Sequence, residues 1–273
     1  MSYMKLIFIR HGDPNYEDDC LTAKGRREAQ LLAQRVAAWN VNEFHASPLG
    51  RAYETASICL DEYRMAKKNP PEAKEMFVHD WLKEFYFPVT DPISGRHGVP
   101  WDFVPSFWTN EAAFFDRKAW PDAPVMQQSP ELKEKYLEVC DSTDKLLARH
   151  GYIRTDNHYR VAGKEAVYVQ ETAAPGSTHA DFNPGTNETV LVFFAHFGII
   201  CVLLSHLLSI PFPLLSCGMF LAPSSVTILG TEERWGVEAS FRIQVAGDTT
   251  HLFGGAEAIS CAGAYYSVFQ EHK

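Results

Sequence analysis

The sequence predicts an α/β fold: a three-layer sandwich with a mostly parallel central sheet flanked by helices, plus an inserted cap. Three observations carry this expectation. Lys5-Leu6-Ile7-Phe8-Ile9 is a continuous apolar run, the pattern of a strand buried on both faces. Strand and helix patterns alternate through the first sixty or so residues and again from Val190 onward. Between Phe85 and Glu134 prolines and aromatics crowd together without a clean period, which places an insertion there. The 273 residues therefore read as one domain, 1–273, with a cap at about 85–134.

The first strand ends in Arg10-His11-Gly12, so these residues occupy a tight turn at its carboxyl end. After a loop rich in Asp, Asn and Pro, Thr22 is placed to cap a helix whose apolar positions Ala29, Leu32, Ala33, Val36 and Ala37 keep helical spacing, ending near Asn40. A short strand at Glu43 to Ala46 leads through Ser47-Pro48-Leu49 into a helix with Ala52, Thr55, Ala56, Cys59 and Leu60 on one face and Arg51 in its first turn. Gly151 to Thr189 is polar and weakly patterned, the character of loop and edge strand. Val190 to Ile210 carries no Asp, Glu, Lys or Arg over roughly the length of a bilayer span. Its two histidines favour a globular reading, a buried strand Val190 to Ala195 and a core helix Ile199 to Leu208 divided at His196-Phe197-Gly198. Ser225 to Leu229 and Phe241 to Val245 read as further strands.

Apolar residues make up 46% and charged residues 22%, an ordinary globular balance. The net charge of −9 sets a field that repels nucleic acid and anionic lipid, so an anionic substrate needs a local basic site. Six cysteines without a C-x-x-C pair argue against a zinc knuckle or thioredoxin-like motif and read as reduced thiols. Met4 to Ile9 is too short for a secretory apolar region, so the cytoplasm is the expected compartment. The sequon Asn187-Glu188-Thr189 is then a chance match.

Four landmarks come in order: Arg10-His11-Gly12 after the first strand, Ser47-Pro48-Leu49-Gly50-Arg51-Ala52 before a helix, Leu82-Lys83-Glu84, and Ala195-His196-Phe197-Gly198 after a later strand. With Leu21-Thr22-x-x-Gly25, this set resembles the histidine phosphatase superfamily, which includes cofactor-dependent phosphoglycerate mutases and many small-molecule phosphatases. Physical reasoning runs the same way. Ligands of open α/β sheets bind outside the carboxyl ends of strands, where His11, the Ser47 turn and His196 all fall. Phosphoryl transfer needs in-line positioning and neutralised equatorial oxygens, which Arg10 and Arg51 suit through paired, permanently charged hydrogen bonds. A neutral His11, favoured by two nearby guanidinium charges, would take the phosphoryl group as phosphohistidine. Glu84, kept protonated by partial burial near Trp81 and Phe85, is the candidate acid, and His196 would bind the transferring oxygens.

Each reading has a plainer rival. Arg10 and His11 also fit a surface pair, Arg51 a solvated first-turn residue, His196 a satisfied core histidine, and Asp80 and Asp13 compete with Glu84. His206, His150, His158 and His251 are read as structural, with His251 the one placed to support the site from behind. The cap aromatics fit packing onto the sheet, or a pocket that stacks an aromatic or sugar moiety. Arg96, His97, Arg117 and Lys118 fit a second anion site or a solvated cap.

Family mutases typically follow R-H-G with Trp-Asn, whereas this chain has Asp13-Pro14-Asn15-Tyr16-Glu17, leaving Asn15 to contact phosphate from a shifted position. Phe197 after the second histidine excludes the branch that draws its acid from a carboxylate there. These departures point to a phosphatase hydrolysing a small phosphorylated metabolite. The alternatives are a mutase-like phosphotransferase, a non-catalytic phospho-ligand binding protein, and a metal-dependent phosphatase, for which no D-x-D pattern or ligand-spaced His cluster is found. No cofactor and no metal are expected, and the partner is a small metabolite, not nucleic acid or membrane, with a homodimer as the candidate assembly.

Overall fold

The computed structural model describes residues 3–67, 75–163, 188–234 and 237–270. The strands in chain order begin with β1 (Tyr3–Arg10), β2 (Pro14–Asn15), β3 (Cys20–Leu21), β4 (Glu43–Ala46), β5 (Met76–Val78) and β6 (Val89–Thr90). They continue with β7 (His97–Gly98), β8 (Tyr152–Thr155), β9 (His158–Val161), β10 (Glu188–Ala195), β11 (Val226–Arg234) and β12 (Glu238–Asp248). The α-helices are α1 (Ala23–Ala37), α2 (Gly50–Ala66), α3 (Pro105–Trp108), α4 (Glu131–Arg149), α5 (Phe197–Leu208), α6 (Phe212–Gly218) and α7 (Thr250–Gly254).

An eight-stranded sheet in the order β5-β4-β10-β1-β11-β12-β9-β8 forms the middle layer. From β5 to β1 the pairings are parallel, and from β1 to β8 they are antiparallel. All strands but β11 and β9 therefore point the same way, which gives the mostly parallel sheet its common carboxyl edge. The central strands are apolar on both faces because both faces are covered. Ile7, Ile9, Val190, Val192 and Phe194 pack with Leu32, Val36, Ala56 and Leu60 of α1 and α2. Leu6, Phe8, Leu191 and Phe193 pack on the opposite side with Leu132 and Val139 of α4 and Ile199 and Leu203 of α5. The two-residue alternation of side chains along β1 and β10 thus divides one apolar run between two cores.

Expected elements are present with longer bounds: Ser225–Leu229 and Phe241–Val245 lie inside β11 and β12. β8 and β9 form a hairpin at the sheet edge within the weakly patterned stretch, while residues 164–187, including the sequon's Asn187, lie outside the described residues. The apolar segment from Val190 divides into β10 and α5 at His196. Among the described residues no helix is long and apolar enough to cross a membrane. The proline- and aromatic-rich segment holds only 3-10 turns, the β6–β7 pair and α3, and it ends at α4, which begins at Glu131. Helix α4 keeps helical spacing at Leu132, Tyr136, Val139, Thr143 and Leu147. Most of the segment's rings are packed: Phe85, Phe103, Phe114 and Trp120 are buried in the core that holds α4 and α5.

Helix α1 opens where the sequence places its cap. The Thr22 hydroxyl accepts from Gly25 N and donates to Asp13 Oδ2 at 2.6 Å, tying the loop after β1 to the helix start. The loop and helix approach so closely that a Cβ on Gly12 would stand 2.7 Å from the Gly25 carbonyl oxygen, which explains glycine at both ends of this contact. Thr22→Ala removes the cap and is expected to lower unfolding stability by about 1 kcal/mol in urea denaturation. An unchanged midpoint and slope would show that the cap bears no load.

Candidate active site

Three segments that are far apart in sequence meet at the carboxyl edge because β4, β10 and β1 are neighbours. Arg10 pairs with Ala195 in register, His11 N donates to Ala195 O at 3.0 Å, and Ser47 N donates to Phe194 O at 3.0 Å. Backbone pairing therefore sets His11, Ser47 and His196 side by side. The chemistry-bearing side chains are nearly inaccessible: relative exposure is 4% for Arg10, 1% for His11, 8% for Arg51 and 0% for His196. The surface-pair and solvated-residue readings of these residues fall on this burial.

The His11 ring is oriented through its backbone. Nδ1 lies 2.7 Å from the Gly12 carbonyl oxygen, which only accepts, so Nδ1 carries the proton and Nε2 the lone pair. Nε2 accepts from Arg51 Nε at 3.3 Å. Burial first, then the charges of Arg10 and Arg51, hold the His11 pKa well below its ordinary value, so the ring is neutral. The expected guanidinium repulsion is present, but desolvation is the larger cause. Arg51 also pairs with Asp19 and stacks over the Tyr16 ring, 5.4 Å from its centroid. Arg10 Nη1 donates to Leu221 O at 2.6 Å and Nη2 to Ala262 O at 3.0 Å.

His196 Nε2 is 2.8 Å from Ser47 Oγ. That hydroxyl already accepts from Leu49 N, and among the described residues its own proton has no acceptor except His196. Ser47 therefore donates to Nε2 and the His196 proton lies on Nδ1, which is buried with no hydrogen-bond partner. A neutral imidazole with an unpartnered N–H, its ring centroid 5.1 Å from that of His11, is a donor available to an oxyanion.

Glu84 lies just after a 3-10 turn and is half-buried. Its Oε1 accepts from Phe85 N at 2.8 Å and from Ile199 N, in the first turn of α5, at 3.1 Å. Burial raises its pKa, opposed by these two N–H groups and by Arg10 and Arg51. A Cβ on Gly198 would come within 2.8 Å of Glu84 Oε1 and 2.6 Å of the Trp101 ring, so this helix start needs glycine. The rival acids are elsewhere. Asp80 is an exposed partner of Lys83, and Asp13 accepts from the hydroxyls of Thr22 and Ser260.

Asn15 departs from expectation. Its amide nitrogen donates to Asp18 and its oxygen accepts from Glu17 N and Asp18 N, so the side chain closes its own loop and does not join the other five. The cap cations are likewise engaged: Arg96 with Tyr265 and Asp102, Arg117 with Ser209 and Asn157. Sequence reasoning missed Asp19, Tyr16 and the Ala262 carbonyl, none of which carries a recognisable pattern. His251 supports the site indirectly: it bonds the Ser224 hydroxyl at 3.2 Å, and Ser224 N donates to His11 O at 2.9 Å. Burial pushes its pKa down to about 4. Among the described residues no three His, Cys, Asp or Glu side chains are grouped to hold a metal ion.

Residues 6–102 match the profile of the histidine phosphatase superfamily (branch 1). Over 82 residues the chain is 30% identical to a probable phosphoglycerate mutase of Yersinia enterocolitica, covering 27% of this chain and 38% of that protein. The match thus spans well under half of the curated relative's length. The fold is like that of a phosphoserine phosphatase mutant from Entamoeba histolytica solved with phosphoserine, at 16% identity, TM-score 0.51, 91% of this chain and 99% of that one. It is equally like a phosphoglycerate mutase from Bacillus anthracis, at 14% identity, TM-score 0.51, and 94% and 98% coverage. His11, Arg10, Arg51 and Glu84 all lie inside the matched stretch, so residues 6–102 are similar to the histidine phosphatase superfamily (branch 1) over the part of the chain that carries them.

Proposed function

We propose that the protein is a metal-independent phosphatase that hydrolyses a small phosphorylated metabolite through a phosphohistidine at His11. The observation that carries this reading is the fixed tautomer of His11, whose Nε2 lone pair faces the Arg51 guanidinium where a phosphoryl group would be held. In the first displacement Nε2 attacks phosphorus, the bond to the leaving oxygen breaks with its electron pair, and Glu84 delivers its proton to that oxygen. In the second, water attacks phosphorus and gives a proton to the Glu84 carboxylate, and the P–N bond returns its electrons to Nε2. Arg10, Arg51 and the His196 N–H neutralise the equatorial oxygens throughout. The segment from residue 85 to α4 acts as a cap over this edge.

The donors are already arranged for an anion. The Asp19 carboxylate and the Ala262 carbonyl stand where phosphoryl oxygens would pair with Arg51 and Arg10, and they yield those positions when substrate enters. A second reading, phosphotransfer between positions of one substrate, is favoured by the phosphoglycerate mutase named among the sequence relatives. It predicts an isomerised product and a phosphoenzyme that outlasts turnover, whereas hydrolysis releases inorganic phosphate.

His11→Ala should lower phosphate release, assayed in EDTA, on the order of a thousandfold or more while leaving the circular dichroism spectrum unchanged. Residual activity within about tenfold of wild type would remove His11 from the nucleophile's role. Loss of wild-type activity in EDTA, restored by magnesium, would end the metal-independent reading.

The pH profile follows from the two shifts. His11 must be unprotonated, and its depressed pKa places the acidic fall in activity well below the usual histidine range. Glu84 must be protonated for the first step, and its raised pKa places the alkaline fall above the usual carboxylate range. Both correct forms coexist between these limits. Glu84→Gln should erase the alkaline limb for alkyl phosphates and slow them by about 10²–10⁴-fold, while the p-nitrophenyl phosphate burst, with its good leaving group, slows far less. Equal slowing of both bursts would make Glu84 a positioning residue.

A further inference from the structure

The leaving group of a monoester must lie beside the acid that protonates it, so the surroundings of Glu84 describe what that group is. Oε1 is immobilised by Phe85 N and Ile199 N, and the space above Gly198 is shared between this oxygen and the six-membered edge of the Trp101 indole. Trp101 meets Phe197 edge-on, with ring centroids 5.5 Å apart at 77°. The Arg10 guanidinium lies 5.8 Å from the centroids of both Phe197 and Phe220. Phe220 remains 37% exposed and Trp101 is only partly buried, so this wall has ring surface left to cover.

The charge count points the same way. Among the described residues, Arg10 and Arg51 are the guanidinium or ammonium groups whose field reaches His11 and His196. Two cations match one phosphoryl dianion, and among the described residues other cations are held elsewhere: Lys83 by Asp80, Arg96 by Asp102 and Tyr265, and Lys24 by Glu28 and Glu257. A second anionic group on the substrate would be desolvated against rings without a partner, which is costly. An aromatic or apolar moiety would instead gain by covering them.

We infer that Trp101, Phe197 and Phe220 form a leaving-group subsite that selects phosphate monoesters of uncharged, ring-bearing alcohols and discriminates against esters with a second anion, such as phosphoglycerate. This rests on the phosphatase reading above and adds the substrate class to it.

A series of primary alkyl esters with closely similar leaving oxygens tests the inference: 3-phenylpropyl phosphate, ethyl phosphate and 3-phosphoglycerate. Wild-type kcat/KM should be at least about tenfold higher for the phenylpropyl ester than for either of the others, a difference worth about 1.4 kcal/mol. Trp101→Ala and, separately, Phe220→Ala should bring the phenylpropyl-to-ethyl ratio to within about threefold, a ratio that a general loss of folded enzyme does not move. Calorimetry with 4-phenylbutylphosphonate and 3-phosphonopropionate reads the same preference without chemistry. No turnover with the phosphonate preference intact would fail the hydrolytic reading and uphold the subsite. Equal or reversed preference in either assay, or ratios unchanged in both variants, would overturn the subsite whether or not the enzyme hydrolyses esters.

Discussion

The hydrogen bond from His11 Nδ1 to its neighbour's carbonyl at Gly12 determines which ring nitrogen can act, and the geometry around it exists to hold that carbonyl still. Gly12 N donates to Thr55 Oγ1 at 3.1 Å, and Thr55 in turn donates to Arg51 O on α2. On the other side Gly12 lies against Gly25 at the start of α1, a contact that leaves no room for a side chain. His11 is thus referenced to both helices on one face of the sheet, while its neighbour His196 is referenced to α5 on the other. In the proposed reaction an imidazole fixed this way needs no reorganisation to attack, which is how a preorganised site lowers a barrier.

Burial is the second constraint and acts in opposite directions on the two groups proposed to carry the phosphoryl group and the proton. It depresses the basicity of His11 and raises the pKa of Glu84, so one environment keeps the imidazole neutral and favours a protonated carboxyl. Behind them Glu28, also buried, has its pKa pushed up to about 7 and receives the N–H of Asp13, supporting the loop that carries the R-H-G turn. Inside this shell the guanidinium groups have internal acceptors, the Asp19 carboxylate for Arg51 and the Leu221 and Ala262 carbonyls for Arg10.

Much of this arrangement was legible from residue order. The apolar run before Arg10-His11-Gly12, the Thr22 cap, the helix after Ser47-Pro48-Leu49 and the break at His196 are local signals, and each marks the element where it occurs. Helix α4 was equally periodic but lay next to a proline-rich stretch whose irregularity obscured its start. Asn15 shows the limit in the other direction: its residue type suits phosphate, yet two nearby acidic positions offer it a closed turn, and local hydrogen bonds win. Asp19, Tyr16 and the Ala262 carbonyl reach the site through tertiary contacts that no spacing encodes. Trp101 was visible only as one of many aromatics, since its proximity to Glu84 depends on the packing of a segment without regular structure.

The central claim is a covalent one: the phosphoryl group passes through His11 Nε2. Wild-type enzyme mixed with a phosphate monoester, quenched in alkaline denaturant within one turnover and analysed by mass spectrometry and phosphorus NMR, reads this directly. The account predicts one phosphoryl group per chain, on His11 and bonded to Nε2, appearing before inorganic phosphate and decaying as it accumulates. An unmodified His11 during active turnover, a phosphoryl group on Nδ1, or one on any other side chain would contradict it.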